Sequence, residues 1–118
     1  MPPYDLCERT FEFSLAILRI WQKLTKTRGF PRALANQLLR AGTSVGANVE
    51  EGRAGQSKAD FISKYSIARK EAREAMYWLR MFVASNLLSE IEGRPLIKEA
   101  DELVSILTAI IKKSKGIP

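Results

Sequence analysis

Apolar residues recur every three or four positions along most of this 118-residue chain. The most regular run alternates spacings of four and three residues: Phe61, Tyr65, Ala68, Ala72, Ala75, Leu79 and Phe82. A spacing of three or four residues places side chains on one face of an α-helix, whereas a half-buried strand requires alternation at every second residue. The pattern therefore predicts an all-α protein.

Breaks in this pattern divide the chain into four predicted helices. Gly29 and Pro31 separate the first helix from the second, because glycine commonly ends helices and proline commonly starts them. Ser57 is a favourable N-cap for the third helix, and the stretch from Asn86 to Pro95 is predicted to connect it to the fourth. The predicted helices span residues 5–27, 31–54, 57–85 and 95–114. Long helices with short joints predict an up-down-up-down four-helix bundle, with residues 1–118 as a single domain.

The second helix has unusually small side chains in its middle, between Ala41 and Ala47. Each interior glycine costs about 1 kcal/mol relative to alanine, so we expect a neighbouring helix to lie close enough to compensate. We expect that neighbour to be the third helix, whose central core residues are alanines, and we expect Asn48 to form a hydrogen bond across helices. The residues predicted to pack closely are Gly42, Gly46, Asn48, Gly52, Ala68 and Ala72.

The end of the third helix is apolar on nearly every side. The first helix likewise carries a second apolar stripe beside its main one, formed by Phe11, Leu15 and Leu18. A single bundle would expose much of this surface, and large exposed apolar patches usually mark interfaces. We therefore predict a homo-oligomer, with an interface that includes Met76, Tyr77, Trp78 and Met81.

The chain is basic, with 19 Lys and Arg residues, 13 Asp and Glu residues and a formal net charge of +6. Residues 58–86 hold six bases, Lys58, Lys64, Arg69, Lys70, Arg73 and Arg80, and three acids, Asp60, Glu71 and Glu74. Such a surface is typical of proteins that bind polyanions, and equally of a solvated face that keeps a protein soluble. If the chain binds nucleic acid, the predicted phosphate contacts are Lys58, Lys64, Arg69, Arg73 and Arg80, with Arg40 or Arg53.

The sequence offers little for catalysis or metal binding. It contains no histidine, which excludes a Glu-x-x-His metal site, and only one cysteine, Cys7, which excludes an internal disulfide. Ser44 and Ser57 have no His or Lys partner at a recognisable spacing, while Glu71 and Glu74 fit a solvated helix face better than a cation site. We expect no enzymatic activity, no cofactor and no metal.

The same features predict a location. A lone cysteine favours a reducing compartment. No apolar run approaches the roughly 20 residues that span a bilayer, and the start of the chain lacks the pattern of a secretory signal. We therefore expect a cytoplasmic protein with no membrane partner.

Segments 40–52, 56–62, 67–74 and 77–80 together resemble one bacterial family of four-helix bundles. The most specific feature is the spacing Ser-x-x-x-Asn-x-x-Glu-Gly at Ser44, Asn48, Glu51 and Gly52. The family is named for proteins encoded in intervening sequences of 23S ribosomal RNA genes, and the similarity covers nearly the whole chain. The resemblance implies an up-and-down bundle that assembles into a barrel-like, ring-shaped homopentamer, with no established enzymatic activity.

A related group, the accessory variability proteins of diversity-generating retroelements, is similar in fold and binds nucleic acid through a basic pentamer surface. Two functions therefore remain open for this chain. The first is an oligomeric scaffold or adaptor, with copies of itself and an unidentified protein as partners. The alternative is RNA or DNA binding through a basic surface of the oligomer, an inference that rests on analogy between folds.

Overall fold

The computed structural model describes residues 5–118, which form four α-helices and contain no strand. Helix α1 spans Leu6–Lys26, α2 spans Arg32–Arg53, α3 spans Lys58–Ala84 and α4 spans Glu90–Ser114. The predicted all-α class is confirmed. The first three helices begin and end within one residue of the bounds predicted from the sequence.

Each helix packs against its neighbours in the chain, and α4 returns to contact α1. No Cα atom of α1 lies within 8 Å of a Cα atom of α3, so among the described residues these two helices lie at opposite corners of the bundle. The linkers, residues 27–31, 54–57 and 85–89, are too short to cross the bundle, so successive helices run antiparallel. The result is an elongated up-down-up-down bundle that measures 48 × 23 × 22 Å.

The apolar face of α3 lies in the core, as its spacing predicts. Five of its residues are fully buried: Ala68, Ala72, Ala75, Leu79 and Phe82. The other three helices surround them with large buried side chains, which include Ile17, Leu38, Val45, Leu103 and Leu107. Phe30, from the linker between α1 and α2, meets Phe82 edge to face with ring centroids 5.0 Å apart, and so covers one end of the core.

Gly42 and Gly46 mark the closest approach of another helix to α2, and that helix is α1. A methyl group at Gly42 would lie 2.5 Å from Cγ2 of Ile17, and one at Gly46 would lie 3.0 Å from the carbonyl oxygen of Thr10. The Ser14 hydroxyl donates to the carbonyl oxygen of Gly42 at 2.8 Å and accepts from the N–H of Gly46 at 3.1 Å. An α-helix pairs these two backbone groups with each other. Ser14 thus joins α1 to the backbone of α2 where the glycines leave room.

The prediction that α3 faces these glycines is wrong. Ala47 is exposed, and α3 reaches a glycine of α2 only at Gly52, which lies against the ring of Tyr65. The predicted hydrogen bond from Asn48 across helices is also wrong. Asn48 is half-buried, and its side-chain amide donates to the carbonyl oxygen of Ser44 at 2.9 Å, within α2. The helical period identifies the faces of α2 but not the neighbour that each face meets.

Helix α4 begins at Glu90, five residues before the predicted start at Pro95. Ser89 is its N-cap: the hydroxyl accepts from the N–H of Glu92 at 3.2 Å and donates to the Glu92 carboxylate at 3.1 Å. This Ser-x-x-Glu capping box starts the helix despite the proline, which lies in the second turn and removes a single helical hydrogen bond. The predicted connection is therefore confined to residues 85–89.

Candidate interaction surfaces

The outward face of α3 carries five residues at spacings of three and four, and together they form the α3 stripe: Ile67, Lys70, Glu74, Tyr77 and Met81. Tyr77 exposes 49% of its surface, and Ile67 and Met81 expose 37% each. Lys70 is exposed, whereas Glu74 is half-buried. Large apolar side chains are therefore left uncovered on one face of α3, with Lys70 and Glu74 between Ile67 and Tyr77.

Met76 and Trp78, the other two predicted interface residues, are half-buried and pack against the core of their own chain. The indole N–H of Trp78 donates to the Glu74 carboxylate at 3.1 Å, and its ring meets that of Tyr77 edge to face with centroids 5.1 Å apart. A substitution of Trp78 would therefore disturb the fold as well as the surface. Tyr77 and Met81 are the members of the predicted interface that a second molecule reaches most directly.

Arg40 links α2 to α3 through ion pairs with Glu71 and Glu74. Its Nη1 lies 3.2 Å from each carboxylate oxygen of Glu71, and its Nη2 contacts the Glu74 carboxylate. The hydrogen bond from Arg40, together with the one from Trp78, lowers the pKa of Glu74 below its usual value. Glu74 is thus ionised, and the positive charge of Arg40 balances its negative charge within the α3 stripe. Arg40 is therefore already ion-paired within its own chain.

Arg53 pairs with Asp5, the N-cap of α1, at 2.8 Å. The same Asp5 oxygen accepts a hydrogen bond from the N–H of Cys7 at 2.9 Å, so the pair ties the start of α1 to the end of α2. Contact with Cys7 and with Asp5 raises the pKa of Arg53 above its usual value. Arg53, like Arg40, is therefore already paired within the chain.

Four of the other predicted phosphate contacts lie on one side of α3 and form the basic row: Lys58, Arg69, Arg73 and Arg80. Their spacings of 11, 4 and 7 residues are close to whole numbers of helical turns. Nη1 of Arg69 contacts Oγ1 of Thr108 at 3.5 Å, which identifies this side as the one that faces α4. Arg80 lines an open groove with Arg94 and Ile97 of α4. No member of the row forms an ion pair with any residue between 5 and 118.

Lys64 lies apart from the basic row, on the side of α3 that meets α2. A methyl group at Gly52 would lie 3.0 Å from Cβ of Lys64, which places this lysine beside the end of α2. The seven predicted phosphate contacts therefore do not form one surface. Four form the basic row, two are paired across helices, and Lys64 stands alone on the opposite side.

A second outward apolar face runs along α1, and its members form the α1 stripe: Phe11, Leu15 and Leu18. Phe11 exposes 54% of its surface, while Leu15 and Leu18 are half-buried. The spacing of four and three residues places all three on the same side of the helix. The sequence predicted this stripe, and the structure leaves it uncovered.

Acidic residues border the α1 stripe. Glu8 and Glu50 line an open pocket of about 510 Å³ beside Phe11, which Arg53 also lines. The exposed Glu12 follows Phe11 in the chain. None of the three carboxylates is ion-paired with another residue in the described part of the chain. Sequence reasoning missed this border because Glu50 belongs to α2 and reaches Phe11 only through the fold.

Two further features of residues 5–118 bear on function. No three His, Cys, Asp or Glu side chains in this range are grouped closely enough to hold a metal ion. None of its helices combines the length and the apolar character that crossing a membrane requires. The candidate sites of the described chain are thus its outward helix faces.

Comparison with known proteins identifies a family and a similar solved structure. The family model described as 23S rRNA-intervening sequence protein matches residues 4–109. The crystal structure of a protein of unknown function from the S23 ribosomal protein family of Bacteroides thetaiotaomicron is similar to this chain with a TM-score of 0.86. The two sequences are 32% identical over 92% of this chain and 99% of that one. No curated protein is significantly similar to the chain. The matches confirm the resemblance drawn from the sequence.

Proposed function

The chain belongs to the 23S rRNA-intervening sequence protein family, and from this premise we propose that it is a non-enzymatic scaffold that assembles with copies of itself. The observation that carries the proposal is the α3 stripe, in which Ile67, Tyr77 and Met81 are exposed in the single chain. Burial of contiguous apolar surface favours association. The family resemblance leads us to propose a cytoplasmic ring of five chains that serves as an adaptor for another protein.

The ion pairs of Arg40 support this role. Arg40 holds Glu74 in place, and Glu74 in turn accepts a hydrogen bond from Trp78 beside the exposed ring of Tyr77. These contacts order the side chains of Glu74 and Tyr77 in the single chain. A preordered surface loses less conformational entropy on binding than a mobile one.

Tyr77→Glu and Met81→Glu test the scaffold proposal. Each places a charge in the α3 stripe where the side chain already faces outward. We expect the wild-type protein to sediment as a multi-chain assembly, and each variant as a chain of 13.3 kDa with unchanged helix content. Ser105→Glu, at an exposed position of α4, is the matched control and should keep the assembly. Wild-type protein that sediments as a single chain at every concentration would contradict the proposal.

A second function, binding to the phosphate backbone of RNA or DNA, is favoured by the basic row. Arg69, Arg73 and Arg80 lie on one side of α3 without ion-pair partners in the described chain, so their charge is available to phosphates. Assembly of several copies would repeat the row and add to its field. Such binding would be largely independent of sequence, because phosphate contacts carry no base information.

Salt dependence tests this second function. We expect the affinity for structured RNA and for duplex DNA to fall steeply with salt on a log-log plot. Arg69→Gln combined with Arg80→Gln should lower the slope by about 1 for each phosphate contact removed. Lys26→Gln combined with Arg28→Gln removes equal charge from an exposed region near the end of α1, and should leave the slope unchanged. Binding that is absent at low salt, or equally weak in both variants, would rule out the basic row as the binding surface.

A further inference from the structure

The geometry points to a pairing between two different faces of the protein: the α3 stripe of one copy packs on the α1 stripe of the next. The partner of each stripe is thus a second copy of this chain. This inference rests on the proposed self-association and specifies which surfaces meet.

The two stripes match in shape. Phe11, Leu15 and Leu18 follow one another at spacings of four and three residues, as do the side chains of the α3 stripe. Rows with such spacing form the ridges and grooves through which helices pack against each other. Phe11 exposes 54% of its surface and Tyr77 exposes 49%, so each is the most exposed large side chain of its stripe.

The two stripes are opposite in charge. Glu8, Glu12 and Glu50 border the Phe11 end of the α1 stripe and have no ion-pair partner among residues 5–118. Arg53 lines the same pocket but is paired with Asp5, and the exposed Arg19 lies at the other end of the stripe, beside Leu18. Lys70 and Arg73 lie in and beside the α3 stripe and are likewise unpaired among residues 5–118. The one acid of the α3 stripe, Glu74, is neutralised by Arg40. Complementary charge therefore favours contact between unlike stripes over contact between two copies of the same stripe.

The position of the stripes in the bundle prevents them from meeting within one chain. No Cα atom of α1 lies within 8 Å of a Cα atom of α3, and the two helices occupy opposite corners of the described bundle. One copy therefore presents an apolar face with an acidic border near Phe11, and an apolar face with a basic border, to two different neighbours. Contacts of this head-to-tail type close into rings or continue as open filaments, whereas pairing of like faces stops at a dimer.

Charge reversal on each stripe tests the pairing. The α1 reversal is Glu12→Lys with Glu50→Lys, and the α3 reversal is Lys70→Glu with Arg73→Glu, all at exposed positions. We expect each reversal alone to weaken self-association at least tenfold, because it sets like charges against each other. An equimolar mixture of the two should associate again with the variants alternating, and therefore in assemblies with an even number of chains instead of a closed ring of five. A chain with all four substitutions should assemble as the wild type does. Circular dichroism and thermal unfolding verify that each variant is folded.

The outcomes separate this inference from the proposed function. If the α1 reversal keeps the wild-type mass while the α3 reversal dissociates, the α3 stripe meets a surface other than the α1 stripe, and the inference fails while self-association stands. A four-substitution chain that is folded but stays monomeric would also overturn the inference. Wild-type protein that is a single chain at every concentration would remove the proposed self-association itself.

Discussion

At the scale of single residues, the contact between α1 and α2 depends on the absence of side chains at two glycines. The Ser14 hydroxyl bonds to the backbone of both Gly42 and Gly46, and Ile17 fills the space over Gly42. A hydroxyl that inserts between two helices in this way is satisfied only while the helices stay close. The close contact offsets the conformational freedom that the glycines cost an isolated helix.

We expect Gly42→Ala to lower the free energy of unfolding, measured by chemical denaturation. The added methyl group would lie 2.5 Å from Cγ2 of Ile17, which is fully buried. Overpacking costs about 1–3 kcal/mol and exceeds the gain of up to about 1 kcal/mol in helix propensity. Combining Gly42→Ala with Ile17→Ala should cost less than the sum of the single changes, because the second change removes the clash. Additive costs would show that the clash does not govern stability here.

The sequence predicted that these glycines mark a close approach, but it could not identify the approaching helix. A small side chain shows where space is available, while the occupant depends on the rotation of every helix in the bundle. Asn48 illustrates the same limit, because a half-buried amide can be satisfied within its own helix as well as across to another. Neither Gly42 nor Asn48 carries a local signal that decides between these neighbours.

At the scale of secondary-structure elements, three of the four described helices begin at a capping side chain, whereas α2 begins after Pro31 without one. Ser57 and Ser89 both cap helices through hydrogen bonds to the N–H three residues later. The Ser57 cap was predicted from the sequence. The Ser89 cap has the same Ser-x-x-acid spacing, but the start of α4 was predicted at Pro95 because proline commonly begins helices. The sequence contains both a capping serine and a proline, and the capping serine decides where α4 begins.

We expect Ser89→Ala to destabilise the first turn of α4. Loss of an N-cap hydrogen bond costs about 0.5–2 kcal/mol. Hydrogen exchange should therefore become faster at the amides of Glu90 to Gly93, while the amides near the end of α4 remain protected. Ser105→Ala, inside the same helix and exposed, is the control and should leave exchange in the first turn unchanged. Unchanged exchange in the Ser89 variant would show that the cap does not hold this turn.

At the scale of the whole molecule, the proposed self-association would stabilise the chain by covering its two exposed apolar stripes. The fold and the family were predictable from the sequence because the helical period and the motif around Asn48 are local patterns. The charged borders of the stripes were not predictable from the sequence. Glu50 and Arg40 both belong to α2, but Glu50 lies beside Phe11 of α1 and Arg40 contacts Glu74 of α3. The ion pairs of Arg40 and Arg53 with residues of other helices or helix caps were not predictable for the same reason.

We expect the melting temperature of the wild-type protein to rise with its concentration. Association binds the folded chain and not the unfolded one, so mass action favours folding as the concentration increases. Met81→Glu should have a melting temperature that does not depend on concentration, while Ser105→Glu should behave as the wild type does. Differential scanning calorimetry over a hundredfold range of concentration measures this. A wild-type melting temperature that stays constant would argue against assembly of the folded chain.

The hydrogen-bonded indole at the edge of the α3 stripe also gives the protein a natural optical reporter. Only two tryptophans are present, and the other, Trp21, lies on α1, where it donates to Asn36 of α2. Replacing Trp21 with phenylalanine leaves Trp78 as the single source of indole fluorescence. The wavelength of its emission maximum depends on how much water surrounds the ring. Dissociation of the assembly on dilution can therefore be followed in real time without attaching a dye.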